Sequence, residues 1–354
     1  MQVVTPDLVK GKKVLLRLDL DVAIQNGEII EDFKIQAGIP TPKLCIQNAS
    51  KVIILGHLGR PFKVVEDEKG GRPENLSLKP VFEWFKKQGF EMDFAQRVEQ
   101  VATASSQVVM LENTRFFHGE IPGPQYHHSC TSKTCDIDFA KKLASLGDFY
   151  VNEAFSSYRP AASTTMLPSL LPHAAGLRFV EEVKKLTEVR ENPKKPFIAI
   201  MGGGGTGKDE EKFPVIKVLA QKADAVLVGG KLVHEINEQG INLPSNVMVG
   251  KLTDNGFDIA PETVESWNRL IMQAKMIIWN GPLGKFEDPK NDATKKVAEL
   301  VVESGAETIV GGGDIIAALN QAGVLDKISF VSTGGGAMLK LLSEGTLETI
   351  EALS

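Results

Sequence analysis

Short β-branched runs, mostly apolar, recur along the chain: VLLRL at 14–18, VIIL at 52–55, VVML at 108–111, FYV at 149–151, FIAIM at 197–201, AVLV at 225–228, MIIW at 276–279, TIV at 308–310 and ISFV at 328–331. Between them, stretches such as FAKKLASLG at 139–147 and ATKKVAELVVESG at 293–305 space their apolar residues three and four apart, the period of a helix with one buried face. A strand without alternation is buried on both faces, and strands alternating with helices form parallel sheets covered on each side. The expected fold class is therefore α/β with parallel sheets. LRFVEEVKKLTEVRENPKKP at 177–196 is a charged helical stretch that closes on prolines, and it reads as a connector between halves.

A chain of 354 residues exceeds the size at which one core stops growing, so two domains are expected. Its 42% hydrophobic and 24% charged residues are ordinary for a globular protein. No apolar run reaches the length of a membrane span, and no signal segment opens the chain, so a cytoplasmic protein without a membrane partner is expected. A net charge of −5 argues against nucleic acid. Three cysteines give no disulfide framework, and Cys45 is expected as a small buried residue in a helix.

Candidate chemistry gathers at the strand ends. In the second half, WNGPLGKFE at 279–287, GGGD at 311–314 and STGGGA at 332–337 each follow an apolar run. Glycines there let backbone N–H groups crowd an anion, and a helix starting at the turn adds its positive end. Three such turns point to a polyphosphate ligand. In the first half the strand ends carry cations instead: Arg17, then His57 and Arg60 in GHLGRP, Arg115 after VVMLEN and Arg159 after FYVNEAF, with Lys34 after the Asn26-Gly27 turn. Repetition at strand ends indicates a shared pocket for a phosphate or carboxylate. A cationic half joined by a helix to a glycine-rich half is the layout of a two-substrate phosphotransferase that closes to exclude water.

These motifs, in this order, resemble the phosphoglycerate kinase family. LRLDLDVAI at 16–24, GHLGRP at 56–61, LENTRF at 111–116 and FAKKLASLGDFYVNEAF at 139–155 match its substrate-side segments, and WNGPLGKFE, GGGD and STGGGA its nucleotide side. The resemblance implies two Rossmann-like domains at 1–176 and 196–340, a hinge helix at 177–195, and C-terminal residues 341–354 packing back on the first domain. It further implies reversible phosphoryl transfer between 1,3-bisphosphoglycerate and ADP, with magnesium, in a monomer. Carried over, Arg17, Asp19, Asp21, Lys34, His57, Arg60, Arg115 and Arg159 would line the acid site. Gly229, Gly230 and Gly256 would border the adenine, and Glu287 would contact the ribose. Asp314 would hold magnesium, while Gly313, the N–H groups of Ile315, Ile316 and Ala317, and Thr333 to Gly336 would cradle phosphates. Lys34, Lys212, Gly313 and Gly336 would be the catalytic set, with Lys208 in support.

Several positions depart from the family. Lys34 stands for an arginine, Asp21 for an asparagine that would then need pairing with Arg17 or protonation, and Ile315 for a hydroxyl residue near the phosphates. SSYRPAAST at 156–164 keeps Arg159 but lacks the flanking histidines, and some forty family residues before the GFD turn at 256–258 are missing. Placing the second family lysine at Lys212 requires an insertion among Gly202 to Gly207. The same stretch, Gly202 to Lys208, also fits a P-loop, with Asp209 where that loop needs Ser or Thr. The insertion at 118–135 reads as a polar loop, and its His127, His128, Cys130 and Cys135 lack standard zinc spacing. Alternatives to the kinase are a related binding protein of low turnover and a kinase for another small acid.

Overall fold

The computed structural model describes residues 1–61, 74–121, 134–203 and 212–354, with backbone alone at 134–136. Lys208 and the P-loop fit at 204–208, with His127, His128 and Cys130, lie outside the described residues. The chain divides into two compact units, Met1–Glu182 with Thr346–Ser354, and Val183–Gly345. The division falls inside the helix Leu177–Glu191.

Each unit is built on a six-stranded parallel sheet. In unit 1 the strands are β1 (Lys13–Arg17), β4 (Lys51–Leu55), β5 (Asp93–Ala95), β6 (Val108–Leu111), β7 (Phe149–Asn152) and β8 (His173–Ala175), in the order β5-β6-β4-β1-β7-β8. A small hairpin, β2 (Ile24–Gln25) with β3 (Glu28–Ile29), turns at Asn26-Gly27. Unit 2 holds β9 (Phe197–Met201), β10 (Ala225–Val228), β11 (Val247–Val249), β12 (Met276–Asn280), β13 (Glu307–Gly311) and β14 (Phe330–Ser332), in the order β11-β10-β9-β12-β13-β14. Renumbered within the sheet this is 3-2-1-4-5-6, the dinucleotide-binding order. Every residue of β9, β10 and β12 is buried, which is why these runs show no alternation. β5, β8 and β11 are three residues each and lie at sheet edges; such short runs carry little hydrophobic signal.

Each sheet has a place where the chain crosses from one side of its first strand to the other, and open α/β sheets bind ligands at the carboxyl ends there. In unit 1 it lies between β1, ending at Arg17, and β7, ending at Asn152, which are aligned in register. In unit 2 it lies between β9, ending at Met201, and β12, ending at Asn280. The C-terminal residues Thr346–Ser354 belong to unit 1, with Leu347 and Leu353 buried. Cys45 is buried in the helix Pro40–Asn48, where burial pushes its thiol up to about 12 and leaves it inert.

The helix that leaves unit 1 is anchored at its start by two buried side chains. Thr41 Oγ1 accepts from Leu177 N at 2.9 Å and donates to Glu153 Oε1 at 2.7 Å. Glu153 accepts from Arg178 N and Phe179 N, each at 3.0 Å, and so satisfies the first-turn donors of Leu177–Glu191. Burial nevertheless pushes its carboxyl up to about 7. A carboxyl whose folded value exceeds its unfolded one stabilises the fold fully at low pH, and that contribution is lost as pH rises through the folded value. Relative to Glu153→Gln, the protein is therefore expected to lose roughly 3 kcal/mol of stability between about pH 4.5 and 7.5. Urea unfolding of both proteins across that range checks it; parallel pH profiles would contradict it.

Candidate functional site

The unit 1 cluster is assembled from strand ends. Arg17, the last residue of β1, is 1% exposed. Its guanidinium reaches Ser163 Oγ at 2.9 Å, the Leu18 carbonyl, and His57 Nδ1 at 2.6 Å. His57 follows β4 and is itself buried. Burial, then the positive charges of Arg115, Arg17, Lys34 and Arg60, hold its pKa well below the usual histidine value. At neutral pH the ring is therefore uncharged. Arg115, half-buried, donates to the Gly59 carbonyl. Burial brings its guanidinium down to about 10, with Asp21 acting in the opposite sense. Four cations thus surround one neutral imidazole at the carboxyl end of a parallel sheet, an arrangement that attracts an anion.

The carboxylates there have defined partners. Asp19 accepts from Ser156 N at 2.8 Å, Ser156 Oγ at 2.6 Å and Ser157 Oγ at 3.0 Å, so it pins the turn after β7. Asp21 accepts from Gly59 N at 2.8 Å, and its other oxygen lies 3.7 Å from His57 Nε2. Of the two expectations for Asp21, pairing with Arg17 or protonation, the first is corrected: Arg17 bonds Ser163, the Leu18 carbonyl and His57, and Asp21 is held by the Gly59 amide and lies beside His57. Lys34 donates from Nζ to the Asp21 carbonyl at 2.9 Å. Arg60 and Arg159 are exposed, the latter with its guanidinium over the Tyr158 ring.

The unit 2 cluster is made of backbone. Beyond β9 and β12, Gly202 N donates to the Asn280 carbonyl at 2.8 Å and Gly203 N to the Pro282 carbonyl. Gly281 has φ +82°, and a Cβ there would overlap the Gly202 carbonyl, so the two turns close only with glycine at both positions. Lys212 opens the helix Lys212–Ala220 and donates from Nζ to the Gly202 carbonyl at 2.8 Å. Two further helices, Gly313–Gln321 and Gly335–Glu344, begin at the ends of β13 and β14. A Cβ on Gly335 would stand 2.6 Å from Gly312 Cα, so the helix starts touch through their glycines, with Asn280 Nδ2 donating to Gly311 O beside them. Gly313 and Gly336 are exposed there, as is Asp314 in the first turn. Gly229 N donates to the Met201 carbonyl at 2.9 Å, Gly230 follows it, Gly256 O accepts from His234 Nε2 at 3.0 Å, and Glu287 is exposed.

Two readings of the helix at 313 need correction. Ile315 is wholly buried in the core of unit 2, with Cγ2 3.7 Å from where a Cβ on Gly312 would stand, so the position packs beneath the turn instead of lying open beside it. Ile316 N already bonds the Gly312 carbonyl at 3.1 Å, which moves the anion-facing donors to the residues before it. A third correction concerns the insertion at 118–135. Its described beginning is no polar surface loop, because Glu120 is 2% exposed and bonded to Ser163 N at 3.1 Å and Ser163 Oγ at 2.6 Å. Sequence reasoning missed both residues. A buried acid one position after a glycine has no local signature.

A sequence model described as phosphoglycerate kinase matches residues 5–248 and 245–345. The phosphoglycerate kinase of Leptospira biflexa is 33% identical to this chain, covering 97% of it and 96% of the relative, and that of Thermosipho africanus is 34% identical over 98% and 96%. The structure of phosphoglycerate kinase from Coxiella burnetii superposes with a TM-score of 0.75 at 29% identity, covering 98% of this chain and 96% of that one. That from Pyrococcus horikoshii gives 0.76 at 25% identity over 97% and 96%. Among the described residues no helix is long and apolar enough to cross a membrane.

Proposed function

The chain belongs to the phosphoglycerate kinase family, and we propose that it transfers a phosphoryl group reversibly between 1,3-bisphosphoglycerate and ADP, using the Arg17–His57 cluster for the acid and the unit 2 turns for the nucleotide. The observation that carries the reading is the cationic cluster at the strand ends, where Arg17 bonds His57 Nδ1 at 2.6 Å, Lys34 bonds the Asp21 carbonyl at 2.9 Å and Arg115 bonds the Gly59 carbonyl next to Arg60. A small acid bearing a phosphate and a carboxylate suits that field; an apolar ligand does not.

Catalysis in this reading is positioning and charge neutralisation. Arg60 and Arg115 would hold the acid's anionic groups, and His57 would donate from its neutral ring, with the buried Arg17 adding its charge from behind. Lys34, tethered at the Asp21 carbonyl, and Lys212, at the Gly202 carbonyl, would offset charge on the transferring group. N–H groups at the helix starts of 313 and 335 would take the nucleotide phosphates. Asp314 fits magnesium: it is an exposed carboxylate in a first turn, and a Cβ built on the adjacent Gly313 would meet nothing within 4 Å. Magnesium characteristically takes one or two carboxylates and completes its shell with phosphates and water. When bound with the nucleotide, the ion would neutralise phosphate charge.

The test is ADP formation from MgATP with and without 3-phosphoglycerate. Turnover that depends on 3-phosphoglycerate supports the reading; its absence in a folded protein that binds MgATP would favour another small acid. Gly335→Ala probes the nucleotide side. The added methyl must push the two helix starts apart, at a cost of about 1–3 kcal/mol, so MgADP affinity is expected to fall roughly tenfold or more. Calorimetric titration measures it, and an affinity within twofold of wild type would speak against phosphates at these helix starts.

A further inference from the structure

Ser163 and Glu120 lie behind the cationic cluster, and the donor directions through them are forced. Arginine has no acceptor, so Arg17 Nε donates to Ser163 Oγ at 2.9 Å and Nη2 donates to His57 Nδ1 at 2.6 Å. Ser163 has one hydroxyl proton, which goes to Glu120 Oε1 at 2.6 Å, while its N–H goes to Oε2 at 3.1 Å. Their backbones are fixed as well: Tyr150 OH donates to the Ser163 carbonyl at 2.7 Å and Ala162 N to the Glu120 carbonyl at 2.8 Å. Ser163 sits in the π-helical turn Ala162–Met166, an irregularity common at functional positions. All four side-chain members are at least nine-tenths buried. A neutral imidazole that accepts at Nδ1 carries its proton on Nε2. That nitrogen is the one nearer Asp21, whose side chain is 43% exposed.

We propose that Glu120 and Ser163 are positioning residues which, through Arg17, hold His57 as the Nε2–H tautomer that donates to the bound acid. Glu120 accepts from both donors of Ser163 and fixes that residue, and Ser163 Oγ in turn accepts from Arg17 Nε and fixes the guanidinium plane. Without them Arg17 loses the contact that fixes its plane, and His57 loses the donor that specifies its tautomer. The inference rests on reading the unit 1 cluster as the acid site.

Long-range proton–nitrogen correlation spectra of the imidazoles, with His57 assigned by its loss in His57→Gln, read the tautomer directly. Wild type is expected to show a protonated Nε2 and an unprotonated Nδ1. Glu120→Gln places an amide donor against a hydroxyl that already accepts from Arg17, and Ser163→Ala removes the hydroxyl. In both, mixed tautomers are expected, with KM for 3-phosphoglycerate raised about tenfold while kcat and MgADP affinity stay within about twofold. A merely structural role would lower nucleotide affinity and acid binding together and leave the tautomer alone. Unchanged tautomer or unchanged KM in a folded variant overturns the inference. The wild-type spectrum also decides by itself, since an Nδ1–H ring or an imidazolium overturns it whether or not the variants fold. A wild type without 3-phosphoglycerate-dependent turnover would instead count against the underlying reading, with the His57 spectra still reporting on the relay.

Discussion

Lys212→Met is expected to lower kcat by about two to three orders of magnitude, the range found when one preorganised charge or donor is removed from a transition state. Methionine keeps most of the stem of this half-buried side chain and deletes only the ammonium. In the structure Nζ is bonded to the Gly202 carbonyl beyond β9, at the reversal of strand order in unit 2, where a phosphate would be held. The charge matters most while the transferring phosphoryl group spreads its own, so kcat should fall far more than MgADP affinity. Steady-state rates in both directions, with a calorimetric titration of MgADP, make the measurement. A kcat within threefold of wild type would remove Lys212 from the catalytic set and undercut the alignment that placed it there.

Arg17→Met is expected to have the largest effect on stability. Removing one partner from a buried, hydrogen-bonded charge pair costs about 3–5 kcal/mol, because the remaining charge stays buried without compensation. Here the partner left behind is Glu120, joined to Arg17 through Ser163 Oγ, whose carboxyl burial already pushes above the ordinary value and Arg17 pulls down. The same change strips the donor from His57 Nδ1, so KM for 3-phosphoglycerate should rise by about a hundredfold or more, as for a buried charged anchor. Urea-dependent hydrogen exchange of the unit 1 strands reads the first effect and steady-state kinetics the second. A loss below about 1 kcal/mol, far under the cost of an uncompensated buried charge, would mean that Glu120 takes up a proton at neutral pH and was never the counter-charge.

The strands were legible where burial is two-sided. FIAIM, AVLV and VVML coincide with β9, β10 and β6 because a continuous apolar run has no other comfortable place in a sheet covered on both faces. The Asn26-Gly27 turn and the three-residue β14, within ISFV, were legible, but the hairpin's two strands and the edge strands β5, β8 and β11 were not. They are specified by pairing with a neighbour, and three residues cannot display a period. Most of the candidate site was legible too, since glycine clusters and cations after strands are local features whose chemistry survives removal from context.

What the sequence by itself determined was the list of chemical groups and the class of fold: parallel α/β sheets, cationic strand ends in one half, glycine turns in the other. Tertiary structure alone decided how those groups are paired. It placed Asp21 at the Gly59 amide and beside His57 while Arg17 turned to Ser163, sent Ile315 into the core, and drew Glu120 out of an apparent surface insertion to bond the Ser163 that accepts from Arg17. The physical reason is range. Propensity, periodicity and turn chemistry act over a few residues, whereas desolvation, donor direction and charge compensation depend on what the fold brings within a few ångströms.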